Sequence, residues 1–148
     1  MKCIPGRWIL DGIQDCNDGS DEICGRDYEG GVTSPFYPND YPNRMNMKCL
    51  IEPPNADIVS IIISEVQTEL DYDFVNVHDG DSTDSSLLAT LSGYPSAPLQ
   101  IVSSGPKIMI HFTTDNFGTR NGFSLTYRGI KGIKTLQMFT IHSQNLTA

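Results

Sequence analysis

From Ile58 onward the chain alternates apolar and polar residues with a period of two, which is the pattern of strands buried on one face. Ile58 to Ser64 (IVSIIIS) reads as a buried strand, and Lys107 to Thr113 (KIMIHFT) puts Ile108, Ile110 and Phe112 on one face. The same alternation returns at Phe123, Leu125 and Tyr127 in GFSLTYRG. Shorter candidates are Phe74 to His78, Leu87 to Leu91 and Leu99 to Ser103. Strands at this spacing, separated by turn residues, predict an all-β fold, an antiparallel sandwich. No convincing amphipathic helix is present.

Before Ile58 the pattern changes. Gly25 to Pro54 is dense in Gly, Pro, Asn and Asp, so turn chemistry is expected there, with short extended pieces at most. The opening, CIPGRWILDGIQDCNDGSDEIC from Cys3 to Cys24, has almost no apolar periodicity and cannot fold on hydrophobic burial alone. At the other end, Ile130 to Ala148 has mixed polarity and reads as a linker or the start of a further unit. The expected organisation is therefore a small stapled segment at 1–24, a β domain at 25–129 and a tail at 130–148.

Composition narrows the function classes. The 148 residues suffice for one core-forming domain with a small satellite. A formal charge of −8 argues against a nucleic-acid partner, which needs clustered Lys and Arg, and favours cations or basic protein surfaces. No run approaches the roughly 18 apolar residues of a membrane-spanning helix, so no membrane segment is expected in this chain. The start, MKCIPGRWILDG, has no apolar leader, yet it resembles the middle of a module, so the chain is expected to be a fragment. Cys3, Cys16, Cys24 and Cys49 lack the spacing of a zinc ribbon and read as disulfide-forming.

Catalytic chemistry finds no support. No nucleophile elbow surrounds a serine, no HExxH motif occurs, and His78, His111 and His142 read as surface residues, so no enzyme is expected. The informative stretch is Glu65 to Gly80, EVQTELDYDFVNVHDG. It carries Glu65, Glu69, Asp71 and Asp73 just before a β-branched run, where the sheet would fix a carboxylate's direction, and Asp115 further on supplies a partner. In the opening segment Asp11, Asp15, Asp21 and Glu22 recur as in a tight calcium-binding loop, where only a cation relieves their mutual repulsion. The bland alternative is a set of solvated acids, for these residues and for the later ones.

The opening segment, with CIP, W, DG, DC and DGSDE before its last cysteine, resembles the C-terminal half of a low-density-lipoprotein receptor class A repeat. The resemblance implies side-chain calcium ligands at Asp11, Asp15, Asp21 and Glu22, with backbone carbonyls of Trp8 and Ile13. It puts the first two cysteines of the repeat before Met1 and the fourth at Leu10. From Cys24 to Gly129 the ordered set GGVTSPFYPNDYP, Cys49 with an apolar follower, LDYDFVNVHDG, SSG with IMIHFTTD, and NGFSLTY resembles a CUB domain. That resemblance implies a jelly-roll-like sandwich of two antiparallel sheets, used outside cells for protein recognition. It also implies a disulfide from Cys24 to Cys49, leaving Cys3 and Cys16 to pair with each other, with upstream cysteines or with nothing. The second bridge usual in the family would join the positions of Leu70 and Ser92, and Leu70 is expected to pack under the metal loop.

For CUB domains that bind calcium, the resemblance implies ligands at Glu65, at Asp73 eight residues later and at Asp115, with backbone carbonyls near Phe117 and Gly118. Tyr41 matches a tyrosine that hydrogen-bonds a ligand carboxylate, and Phe117 stands where family interfaces use a serine. The implied function is a calcium-stabilised, non-catalytic extracellular module whose Tyr41, Glu65, Asp115 and Phe117 meet a Lys or Arg of a partner protein. Rival readings are an exosite fragment of a secreted or membrane protease and a structural spacer without a ligand. Asn145 lies in an N-x-T sequon, a glycosylation candidate consistent with secretion or an ectodomain.

Overall fold

The computed structural model describes residues 23–132. The predicted site residues Trp8, Asp11, Ile13, Asp15, Asp21, Glu22 and Asn145, with Cys3 and Cys16, lie outside the described residues. Nine strands follow in order: β1 (Ile23–Gly25), β2 (Glu29–Thr33), β3 (Asn46–Ile51), β4 (Ile58–Gln67), β5 (Phe74–Asp79), β6 (Ser86–Leu91), β7 (Leu99–Val102), β8 (Ile108–Thr113) and β9 (Gly122–Ile130). They form a five-stranded sheet, β1-β3-β8-β5-β6, and a four-stranded sheet, β2-β9-β4-β7.

The alternation that predicted the strands also faces the two sheets together. Val59, Ile61 and Ile63 of β4 and Leu125 of β9 bury against Ile108, Ile110 and Phe112 of β8 and Val75 and Val77 of β5. The intervening positions, such as Ile62 and Thr126, point outward. Phe112 packs edge-to-face on Phe123 at 5.3 Å and on Tyr41 at 5.0 Å, so a column of aromatic rings runs through the core to the site described below.

Two expectations are corrected. The stretch read as turn chemistry holds β2 and the six-residue β3, which lies inside its sheet between β1 and β8. β3 does alternate, with Met47, Cys49 and Ile51 buried and Asn46 exposed, but the Pro- and Asn-rich flanks hid that period. The five-stranded sheet is also not wholly antiparallel: β1 pairs with β3 in parallel, Ile23 beside Leu50. Parallel pairing is open to them because β2 lies between them in sequence and belongs to the other sheet, so the chain crosses over before it returns. The Cys24–Cys49 disulfide, with 5.4 Å between Cα atoms, ties β1 to β3.

With every neighbouring pair except β1 and β3 antiparallel, the β2–β3, β4–β5, β6–β7 and β8–β9 loops emerge at one end of the sandwich. Residues that are far apart in sequence meet there.

Candidate metal centre

Asp73 is the last residue before β5 and is fully buried. Its Oδ2 accepts the hydroxyl of Tyr41 at 2.6 Å and its Oδ1 accepts the backbone N–H of Asp115 at 2.9 Å. The β2–β3, β4–β5 and β8–β9 loops are thereby tied to one carboxylate. Tyr41 is held in turn from below by Phe112, and its oxygen accepts the N–H of Glu69 at 3.0 Å. Burial first, then the bond to Asp73, pushes the Tyr41 phenol well above its ordinary value, so it stays a donor.

The turn from β4 to β5 is tight. The Asp73 N–H donates to the Glu69 carbonyl at 3.0 Å, which places the Glu69 side chain over Asp73. Carboxylate oxygens of Glu69, Asp73 and Asp115 lie within 4.8 Å of one another. Among the described residues Glu69 Oε1 is buried without a hydrogen-bond partner. Burial and then the Asp115 carboxylate hold the Glu69 carboxyl above its usual range, and burial does the same to Asp73 despite the two hydrogen bonds it accepts. Gly118 approaches from the β8–β9 loop with φ +81°, and a Cβ there would stand 2.0 Å from Glu69 Oε2, so any larger residue would displace that carboxylate. Asp115 Oδ1 accepts the N–H of Phe117 at 3.2 Å, which orients the same loop.

An all-oxygen donor set, an orphaned buried oxygen and carboxyls strained by their neighbours fit a hard cation such as calcium. Three carboxylates this close repel one another, and a divalent charge removes that repulsion.

Of the expected trio, Asp73 and Asp115 come together, whereas Glu65 does not join them and Glu69 takes its place. Counting back eight residues lands inside β4, which runs on to Gln67. A β-bulge between Ile63 and Glu65 shifts the phase of the strand, so Val66 faces the core and Glu65 faces away. Glu65 instead accepts the Tyr37 hydroxyl and, at 2.6 Å, the Gln67 side-chain N–H. Val66 is apolar but out of step with Ile61 and Ile63, and it extends β4 past Glu65, which leaves Glu69 as the first acid of the loop.

Leu70 is also placed differently from expectation. It is exposed and lies over Gly93 rather than under the loop, and the next residue, Asp71, takes φ 68°. Ser92, where the family's second bridge would end, pins the turn through its hydroxyl, which takes the Asp71 N–H at 2.8 Å and reaches the Asp73 carbonyl at 2.8 Å.

The fold and the carboxylate-lined loop end are those of an extracellular β-sandwich interaction domain, a class without a catalytic centre. The chain belongs to the CUB domain family, which matches residues 19–127, and residues 1–26 match the low-density lipoprotein receptor domain class A. Both are modules of secreted proteins and ectodomains, which puts this chain outside the cell. It is 36% identical over 107 residues to human neuropilin-2, an alignment covering 69% of this chain and 11% of that protein, and equally identical to mouse neuropilin-2. The chain thus spans only a small part of these relatives. Among solved structures it resembles the MASP-1 CUB2 domain bound to Ca2+, with TM-score 0.61, 25% identity and coverage of 71% of this chain and 96% of that one. It also resembles the extracellular region of zebrafish Gpr126/Adgrg6, with TM-score 0.64, 30% identity and coverage of 72% and 14%.

Proposed function

We propose that this CUB domain is a calcium-stabilised, non-catalytic binding module that takes a Lys or Arg of a partner protein at its acidic loop end. The observation that carries this reading is the buried, partnerless Glu69 Oε1 within a cluster that includes Asp73 and Asp115. Glu69, Asp73 and Asp115 would hold the ion, and the backbone carbonyls of Phe117 and Gly118, on the same loop as Asp115, would complete the shell. Bound calcium supplies charge neutralisation, and the likeness to the calcium-bound MASP-1 CUB2 domain supports it. Tyr41 and the Asp115 N–H hold Asp73 in a single orientation, so the acids are arranged before a partner arrives. Carboxylate oxygens left on the outer side accept the N–H groups of the incoming cation as charge-assisted hydrogen bonds. The match to the low-density lipoprotein receptor class A family supports a second calcium site in the opening segment, at Asp11, Asp15, Asp21 and Glu22.

The test compares two glutamates. Glu69→Gln is expected to weaken calcium binding in calorimetry by at least about tenfold, since a charged oxygen is lost from the cluster. Glu65→Gln, on the outward side of the bulge, is expected to leave the affinity within about twofold. The reverse ranking would refute this assignment of the site.

Protons compete with the ion for the same oxygens. The folded-state carboxyls of Glu69 and Asp73 sit above their ordinary values, so the ion-free fold binds more protons than the unfolded chain just above the usual carboxylate range. These two groups therefore stabilise the ion-free fold as pH falls through that range, and the calcium affinity drops over the same interval. Calorimetry at about pH 7 and about pH 5 should show the weaker binding at the lower value. An affinity that does not change, or that rises on acidification, counts against these ligands.

A further inference from the structure

The end of the sandwich that holds the acids also carries exposed apolar side chains. Leu70 is 61% and Tyr72 62% exposed on the β4–β5 loop, Tyr94 is 65% exposed on the β6–β7 loop, and Phe117 is 77% exposed on the β8–β9 loop. Phe36, at φ 64° on the β2–β3 loop, is exposed at the same end. At the opposite end, Tyr28 is the one large exposed apolar residue in a loop among the described residues.

These side chains stand on ordered backbone. Leu70 rests on Gly93, where an added Cβ would meet Leu70 Cδ1 at 2.8 Å, and Tyr94 follows directly. Leu70 and Tyr72 flank Asp71, whose N–H is bonded to Ser92, while Phe117 is bonded through its N–H to Asp115. An aromatic or leucine side chain left in water on an ordered loop contributes nothing to the core, and concentrated patches of this kind mark interaction surfaces. The same end holds the acids. An apolar rim around a charged centre excludes water from the central contact and strengthens it.

Resting on the calcium-site reading above, we infer that the partner presents its Lys or Arg from within an apolar or aromatic patch, not from a polar, mobile segment. Phe117, Tyr72 and Tyr94 then pack on the aliphatic stem and its apolar neighbours while the outer carboxylate oxygens take the charge. A second copy of this chain and a lipid surface are the other possible occupants. The acidic centre and the chain's charge of −8 disfavour an anionic membrane.

The test uses the full chain in calcium and two capped pentapeptides, Leu-Trp-Lys-Trp-Leu and Ser-Gly-Lys-Gly-Ser, titrated by NMR or calorimetry. The apolar-flanked peptide is expected to bind about tenfold tighter. Its binding is expected to disappear with chelator or when norleucine replaces the lysine. The double variant Tyr72→Ser with Tyr94→Ser should lose the tenfold preference while its calcium heat stays unchanged, which shows that it is folded. Equal calcium-dependent binding of both lysine peptides would overturn the apolar-patch inference and leave the basic-residue reading standing. Binding of neither would overturn both. Calcium-dependent capture by phosphatidylserine vesicles without peptide binding, or calcium-dependent dimerisation without it, would reassign the rim to lipid or to a second copy.

Discussion

Replacing Asp73 by alanine is expected to destabilise the domain in calcium by about 3–5 kcal/mol, more than any other single change at the loop end. The reason is its position beneath three loops. Asp73 is fully buried, and removing it leaves the Tyr41 hydroxyl and the Asp115 N–H without their acceptor. A buried donor left without a partner costs about 1–3 kcal/mol. The variant also loses whatever the ion contributes, which at a concentration about ten times the dissociation constant is about 1.4 kcal/mol. In chelator the loss should be smaller by at least that amount, because deleting a burial-strained carboxylate also relieves its repulsion with Glu69 and Asp115. Urea unfolding with and without calcium, followed by tryptophan-independent far-ultraviolet circular dichroism, measures both quantities. A loss below about 1 kcal/mol, or an intact calcium shift in the variant, would show that Asp73 is not the joint described here.

Removing the Cys24–Cys49 disulfide by the double change to serine is expected to cost about 3–4 kcal/mol. The bridge closes a loop with a sequence separation of 25, and that closure restricts the unfolded chain. It also holds a three-residue strand that pairs on one side only, β1 on β3. Most of the destabilisation should therefore appear in the unfolding equilibrium, with hydrogen exchange in β1 rising first. Cys49 itself is buried in the core and tolerates serine poorly, so the comparison with the reduced wild-type chain separates the bridge from the polar substitution. If the reduced chain unfolds at the same denaturant concentration as the oxidised one, the bridge contributes nothing and the account fails.

The carboxylate trio and the disulfide differ in how far they could be read from the sequence. The strands from Ile58 onward were legible because burial on one face imposes a period of two, which Ile108, Ile110 and Phe112 display without interruption. Asp73 was legible too, since an acid immediately before a β-branched run must sit where a strand begins. β2 and β3 were harder to see, because Gly30 and Gly31 have no side chain to show alternation and β3 is flanked by turn residues. Glu69 rather than Glu65 lies with Asp73 and Asp115 for a single local reason, the bulge after Ile63. A bulge inserts one residue and reverses every later side chain, and no composition signal marks it.

By itself the sequence determined an all-β domain with a core drawn from alternating Ile, Val and Phe, an acidic balance that argues against a nucleic-acid partner, and two acids, Asp73 and Asp115, placed beside strand ends. Those properties follow from local patterns, and local patterns survive without coordinates. Only the tertiary structure decided which third carboxylate joins them, that Ser92 rather than a bridge pins the turn, that β1 runs parallel to β3, and that the exposed Leu70, Tyr72, Tyr94 and Phe117 share one end of the sandwich with the acids. These depend on strand register and on which loops share an end of the sandwich, and both are fixed by contacts between residues tens of positions apart.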